Sequence, residues 1–376
     1  MRPNEINNLY RANTSKKSET FDEVIVQTGI VPKKFFHIAL FEWLLLVKPK
    51  GKLIMVYVPD SNTSSDELEK SLWWIGRGKY EILDHVVGKL HSKIILKKTH
   101  AMIANLGKMD EWTFGIVTNG ERDDWIDQII RSIRALKIPK YEIIICGKYR
   151  KREEKNIKII DFIERADKGW ITRKKNLIAD KAAYENMCII HDRLVFDRNW
   201  YRGMRKYGNS FELLGCIQIE KNTRENAGDW LTLGGPMGTR WKISRLTYSD
   251  WDFYGYLSGQ LMIIKKSIWE KTLWDETRYW DGVDDADWDI IFRARDLGHI
   301  IRFNPFSSVT ALTWRHGKLP LKYDVSEGIF PKDMVMRRLL RTGARIMNAF
   351  PLVSDIAAAF ASKFIKTRIY KHFLYH

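Results

Sequence analysis

WTFGIVTNG (112–120), RDDWIDQIIRSIRAL (122–136), YEIIICG (141–147), NIKIIDFIE (156–164), TRKKNLIADKAA (172–183) and NMCIIHD (186–192) follow one another with only short connections. The first is an apolar run that ends in a polar turn. The second is amphipathic with Trp125, Ile129, Ile130 and Ile133 on one stripe, the spacing of a helix that covers a core. YEIIICG is apolar throughout, as in a strand buried on both faces. Strand, helix, strand, strand, helix, strand predicts a doubly wound α/β sheet.

In such sheets ligands bind at the carboxyl ends of the strands, so position alone nominates the site. The nominees are Thr118 and Asn119, Cys146 and Gly147, Ile163 and Glu164, and His191 and Asp192. A strand of apolar residues that delivers His191 and Asp192 into a turn is no packing device, because a buried carboxylate requires partners. Further along, ETRYWDGVDDADWDIIFRARDLG (276–298) places Asp284, Asp285 and Asp287 at the opening of a helix, with Asp281 just before. Helix capping accounts for one or two of these acids. The crowding of like charges points to a cation or a titrating base for the rest.

Two flanking pieces complete the chain. Residues 1–108 alternate as well: FDEVIVQTG (21–29) reads as a strand, and FFHIALFEWLLLV (35–47) as a helix closed by KPKG. KLIMVYVPD (52–60) is a strand, and SSDELEKSLWWIGRG (64–78) a helix with a Ser cap. KYEILDHVV (79–87) and SKIILKKT (92–99) make a pair of strands, giving a parallel sheet that runs into an antiparallel edge. Residues 331–376 form a basic, apolar-rich tail broken by Pro351, in which Arg337, Arg338, Arg341 and Arg345 interleave with Met336, Leu339, Leu340 and Ile346. That pattern fits a helical tail with a solvated basic face, and it fits an interfacial helix pair drawn to anionic lipid.

The 376 residues are 45% hydrophobic and 29% charged, which excludes wholesale disorder. The 63 Lys and Arg outnumber 46 Asp and Glu, a formal net charge of +17 that calls for an anionic partner. No RNP, KH or zinc-finger pattern accompanies it, so nucleic acid is not the expected partner. Cys146, Cys188 and Cys216 lie far apart among apolar neighbours and read as buried thiols in a reducing cytoplasm. No run of 18 apolar residues occurs, so no membrane-spanning helix is expected.

At residues 112–318 the chain resembles GT-A fold glycosyltransferases of the family 2 type. The resemblance rests on five motifs in order. They are TFGIVTNGERDDWIDQIIRSI (113–133), YEIIICG, GWITRKKNLIADKA (169–182), IIHDRLVFDRNW (189–200), and YLSGQLMIIKKSIWEKTLWDE (256–276) followed by YWDGVDDADW (279–288). It implies a GT-A doubly wound mixed sheet over 109–330 and transfer of a sugar from a nucleotide-diphosphate sugar, a UDP-sugar being favoured, to a saccharide or lipid-linked hydroxyl. It also implies roles. Thr118 and Asn119 approach the nucleoside, Glu164 the base or ribose, and Lys175 and Asn176 match the "RN" pair near the diphosphate. His191, Asp192 and Arg193 fill the DXD positions, with only the middle one acidic. Asp192 with His316, from TWRHG (313–317), is the implied ligand set for Mn2+ or Mg2+; otherwise Arg193 neutralises the phosphates itself, and His316 is a surface or packing residue. Asp285 matches the general base of inverting members, Asp284 orients the acceptor, and Ser258, Gly259 and Trp280 line the acceptor subsite.

The segment between Glu220 and Tyr256, rich in Gly and Trp, is expected to be a loop ordering over donor or acceptor, or else a packed insertion whose Trp230, Trp241 and Trp251 are core. Residues 21–60 resemble the second half of a class I methyltransferase, whose "LKPGG" turn matches LLLVKPKGKLIMV (44–56). The glycine-rich cofactor loop of that family does not precede Phe21, so an incomplete Rossmann-like, inactive segment that binds no S-adenosylmethionine is expected. The whole is expected to be cytoplasmic and peripheral at the inner face of a membrane. The rival expectation is a non-catalytic nucleotide- or carbohydrate-binding protein on a decayed transferase fold.

Overall fold

The computed structural model describes residues 19–31, 35–58, 64–150, 154–163, 170–224, 226, 228–232, 244–248, 250–277 and 287–313. Glu164, Trp241, Trp280, Asp284, Asp285, His316 and the tail 331–376 lie outside them.

The small sheet is built from β1 (Phe21–Gln27), β2 (Val47–Tyr57), β3 (Tyr80–Val86) and β4 (Ser92–Lys98), in the order β1-β2-β4-β3. β1 and β2 are parallel, and β4 is antiparallel to both β2 and β3, as the pattern predicts. Between β1 and β2 runs α1 (Phe36–Leu46), and between β2 and β3 runs α2 (Ser65–Gly76). The expected Ser cap is Ser64, whose hydroxyl accepts from Glu67 N at 3.1 Å. KPKG does not close the first helix. The chain passes from Leu46 directly into β2, and the four residues form an irregularity within that strand. Register jumps from Phe21↔Val47 to Glu23↔Lys52, with Lys50 at φ 72°. A bulge accommodates Pro49, which cannot donate to a ladder.

The large sheet contains β5 (Glu111–Val117), β6 (Lys140–Cys146), β7 (Ile157–Ile160), β8 (Asn186–His191), β9 (Leu194–Phe196), β10 (Leu213–Glu220), β14 (Leu261–Lys265) and β15 (Ile301–Ala311). Their order is β7-β6-β5-β8-β14-β10-β15-β9. The first four are mutually parallel, and β14 runs antiparallel to both its neighbours. The chain is therefore a mixed α/β protein with a large mixed sheet. Helices α3 (Asp123–Ala135), α4 (Ile171–Lys181), α5 (Trp200–Tyr207), α6 (Lys266–Thr272) and α7 (Asp287–Asp296) accompany it. On α3 the buried stripe is Ile126, Ile129, Ile130 and Ile133. Trp125 is only half-buried, one residue off that stripe, and the Arg122 guanidinium lies 5.0 Å above its ring.

A third sheet, β12-β11-β13, consists of β11 (Trp230–Thr232), β12 (Ser244–Arg245) and β13 (Gly255–Leu257). The described part of the Gly- and Trp-rich segment is thus a packed insertion. Trp230 and Trp251 are buried, and their indole N–H groups donate to Asp250 O and Ile301 O, so neither ring is available to stack on a sugar. Tyr248 stacks on Phe303 with centroids 4.8 Å apart.

One hydrophobic core runs through both larger sheets, from Val26, Ile38 and Leu53 to Leu213, Ile290 and Phe303. Helix α1 explains how. It is apolar all round, the signature of a helix buried on every side, and Ile38, Leu40, Phe41, Trp43 and Leu44 are each at most 1% exposed. Charges cross the same junction. Glu42 of α1 forms an ion pair with Arg302 of β15. Arg77 donates to Glu212 Oε1 at 2.6 Å and contacts His299. Burial raises the Glu212 carboxyl, but Arg77 and His299 outweigh it and hold the group well below the usual range. The three cysteines are free and buried, and burial pushes the Cys146 thiol up to about 12.

Candidate active site

The parallel strands β5, β6 and β8 all end at one rim, and β14 starts there because it runs the other way. This is the crevice where an open α/β sheet holds ligands. Thr118 leaves β5 with its hydroxyl donating to Asp192 Oδ2 at 2.8 Å and accepting from Gly120 N at 3.0 Å. Asp192, directly after β8, is tied to the neighbouring strand by its own N–H to Val117 O. Its other oxygen, Oδ1, accepts from Arg122 at 3.1 Å. Lys174 of α4 donates Nζ to Thr118 O at 2.8 Å, which pins the turn from below. Gly147, with φ 126°, closes the same corner: a Cβ there would sit 2.1 Å from Thr118 O.

The far wall is made by the turn into β14. Lys175 is 1% exposed and donates to Gly259 O at 3.1 Å, its ammonium 5.6 Å from the Trp274 ring centroid. Arg193 Nε donates to Gln260 Oε1 at 3.0 Å. The Gln260 amide in turn reaches Gln218 Oε1 and Ser258 Oγ, each at 3.3 Å. His191 N–H bonds Gln260 O at 2.9 Å, so the two walls are knit by backbone as well.

Thr118, His191, Asp192, Arg193, Ser258 and Gly259 therefore converge on one rim, and Asn119 stands exposed at its edge. Asn176 does not join them. Its amide donates to Trp274 O and Glu276 Oε1, both at 2.8 Å, and its Oδ1 accepts from Trp269 Nε1 and Trp274 N. A carboxamide has four such capacities, and all are filled, so Asn176 clamps α4 to the chain after α6 instead of facing a ligand. Sequence reasoning missed Arg122, Lys174, Gln218 and Gln260. Arg122 sits in a strand-end turn, which position alone could have flagged. Gln218 gives no such signal, because it reaches the site through pairing between distant strands.

The divalent cation implied by the DXD-like positions needs several hard oxygen ligands. Both oxygens of Asp192 are engaged, one by the Arg122 guanidinium, and the next residue is Arg193. Among the described residues no three His, Cys, Asp or Glu side chains converge as a metal site. Asp192 and Arg193 therefore do not fit such a cation; His316, the other expected ligand, lies outside the described residues.

No family model and no curated protein matches the chain. Solved structures do. Residues of the S. aureus TarS fragment 1–349 match at 11% identity and TM-score 0.36, covering 54% of this chain and 60% of that one. GalNAc-T7 with UDP, GalNAc and Mn2+ matches at 14% and 0.37, covering 57% and 46%. The mannosyltransferase PcManGT from Pyrobaculum calidifontis, in complex with GDP-Man and Mn2+, matches at 11% and 0.37, covering 55% and 58%. The chain thus spans less than two thirds of each. Likeness at that level carries no conclusion about activity. No helix among the described residues is long and apolar enough to cross a membrane.

Proposed function

We propose that the chain is a glycosyltransferase that moves a sugar from a nucleoside-diphosphate donor, UDP-linked by preference, to a hydroxyl of a saccharide or lipid-linked acceptor. The observation that carries this reading is the rim itself: Thr118, Asp192 and Arg193 at parallel strand ends, facing the Ser258–Gln260 turn. The nucleoside would lie against the Thr118–Gly120 turn, with Glu164 beside the base or ribose. Arg193 neutralises charge on the diphosphate as it leaves. The acceptor would sit over Ser258 and Gly259. Asp285, oriented by Asp284, takes the hydroxyl proton while the acceptor oxygen attacks the anomeric carbon from the face opposite the leaving group, which inverts the configuration. The partial methyltransferase-like segment 1–108 serves as a support that binds no S-adenosylmethionine, and the basic tail 331–376 draws the enzyme to an anionic membrane surface.

The test is a panel of UDP-, GDP- and dTDP-sugars assayed for transfer and donor hydrolysis. Asp285→Asn should cut turnover roughly 10²–10⁴-fold, the range for loss of a general base, with donor affinity unchanged. Turnover at the parent rate in that variant would sink the base assignment. A second reading, a non-catalytic nucleotide-binding protein, is favoured by the Asp192–Arg122 pair, which occupies the one acidic DXD position. Tight donor binding without turnover on any donor would select it.

A further inference from the structure

The pairing of Asp192 with Arg122 changes what the site asks of its ligand. We infer, resting on the nucleotide-sugar reading above, that this site binds a nucleoside diphosphate without a divalent cation, with Arg122 and Arg193 supplying the counter-charge. Four observations converge on it.

First, Asp192 is spent as an orienting group. Its side chain is 7% exposed, with one oxygen on the Thr118 hydroxyl and the other on Arg122. A cation on Asp192 would have to displace the Arg122 guanidinium. Second, Arg122 is placed as an anion-binding residue. Asp192 fixes one end of its fork and the Trp125 ring supports its face at 5.0 Å. Its side chain is 35% exposed, so part of the fork stays open to a ligand. A planar guanidinium held in this way matches two phosphate oxygens at once. Third, Arg193 is held with similar care through Gln260, whose amide is set by Gln218 and Ser258. Fourth, the Lys174 ammonium beneath Thr118 O adds positive potential to the same turn. Arg122 and Arg193 thus stand at the rim as guanidinium donors for the diphosphate oxygens. Asp192 is here a positioning residue: it aims Arg122.

Titration calorimetry on the full chain with UDP, and in parallel GDP, would decide the matter, in buffer with EDTA and in buffer with Mn2+. One of the two nucleotides is expected to bind in EDTA, with affinity changing less than about 3-fold on adding Mn2+. Arg122→Gln, which keeps a donor toward Asp192, and Arg193→Ala should each weaken binding in EDTA by 10-fold or more, with far-UV circular dichroism confirming that each variant is folded. Asp192→Asn should weaken it as well, without creating dependence on Mn2+. Binding seen only with Mn2+ would overturn this inference and leave the glycosyltransferase reading standing. So would binding in EDTA that is indifferent to both arginine variants. Absence of binding by either nucleotide in both buffers would remove the inference and the functional reading together.

Discussion

The Glu42–Arg302 pair offers a sharp test of whether the small and large sheets fold as one unit. Their side chains are 1% and 2% exposed, and the Arg302 guanidinium lies 5.2 Å from the Phe41 ring centroid. Burial raises the Glu42 carboxyl by more than Arg302 lowers it, so the pair contributes little net stability as it stands. Breaking it is another matter. Glu42→Leu strands a guanidinium that no water reaches, at a cost of about 3–5 kcal/mol. In a domain of this general size that corresponds to a fall in Tm of roughly 6 °C or more. Replacing both partners, Glu42→Leu with Arg302→Met, should recover most of the loss, since an apolar pair of similar volume removes the desolvation penalty. Urea unfolding followed by far-UV circular dichroism and by tryptophan fluorescence measures both effects. The two probes should coincide, because Trp43 sits on α1 and Trp112 on β5, on either side of the junction. A single variant less than about 1 kcal/mol below the parent, or two separated transitions, would refute the reasoning.

Asp229 gives a prediction with a definite sign. Burial holds its carboxyl up at about 6, against hydrogen bonds from Gln218 N, Asn226 and Tyr248. The folded value lies above the unfolded one, so the native state binds the proton more tightly. The stability that this group contributes is full below about pH 4 and is lost as pH rises through 6, by about 3 kcal/mol at most. Asp229→Asn should flatten that slope in denaturation curves taken from pH 4 to 7; an unchanged slope would refute the assignment. Gly147→Ala should cost more than about 1 kcal/mol, because the residue needs a left-handed φ and its Cβ would meet Thr118 O. It should also weaken nucleotide binding, measured by calorimetry, by moving the turn that carries Thr118. Thr118→Val, nearly isosteric, should leave Tm within a few degrees yet weaken nucleotide binding several-fold by freeing the Asp192 carboxylate; equal affinity would show that the hydroxyl does not order the site.

The strands and helices were readable because their causes are local. YEIIICG has no polar residue in its centre, and such a segment is stable only where both faces are covered. The Ser64 cap was readable for the same reason, as its hydroxyl bonds a group three residues away. KPKG was misread since proline and glycine usually end a helix, whereas here partner strand β1 tolerates them as a bulge. Asn176 was misread because its neighbours in sequence resemble a phosphate-binding pair, while its neighbours in space, Trp269, Trp274 and Glu276, consume the amide.

By itself the sequence determined most strands and helices between residues 21 and 192, the parallel character of the first half of the large sheet, and Asp192 as the strand-end carboxylate. Alternating or unbroken hydrophobicity writes those features into every few residues. Only the tertiary structure decided that β14 enters antiparallel beside β8, which brings Gly259 and Gln260 to the rim. It alone decided that the all-apolar α1 joins two sheets, and that Asp192 faces Arg122 in place of further acids. Those outcomes depend on contacts between residues 42 and 302, or 70 positions apart, as in Arg122 and Asp192. No local pattern encodes which distant partner a buried charge will find; the packing that excludes water from it makes that choice.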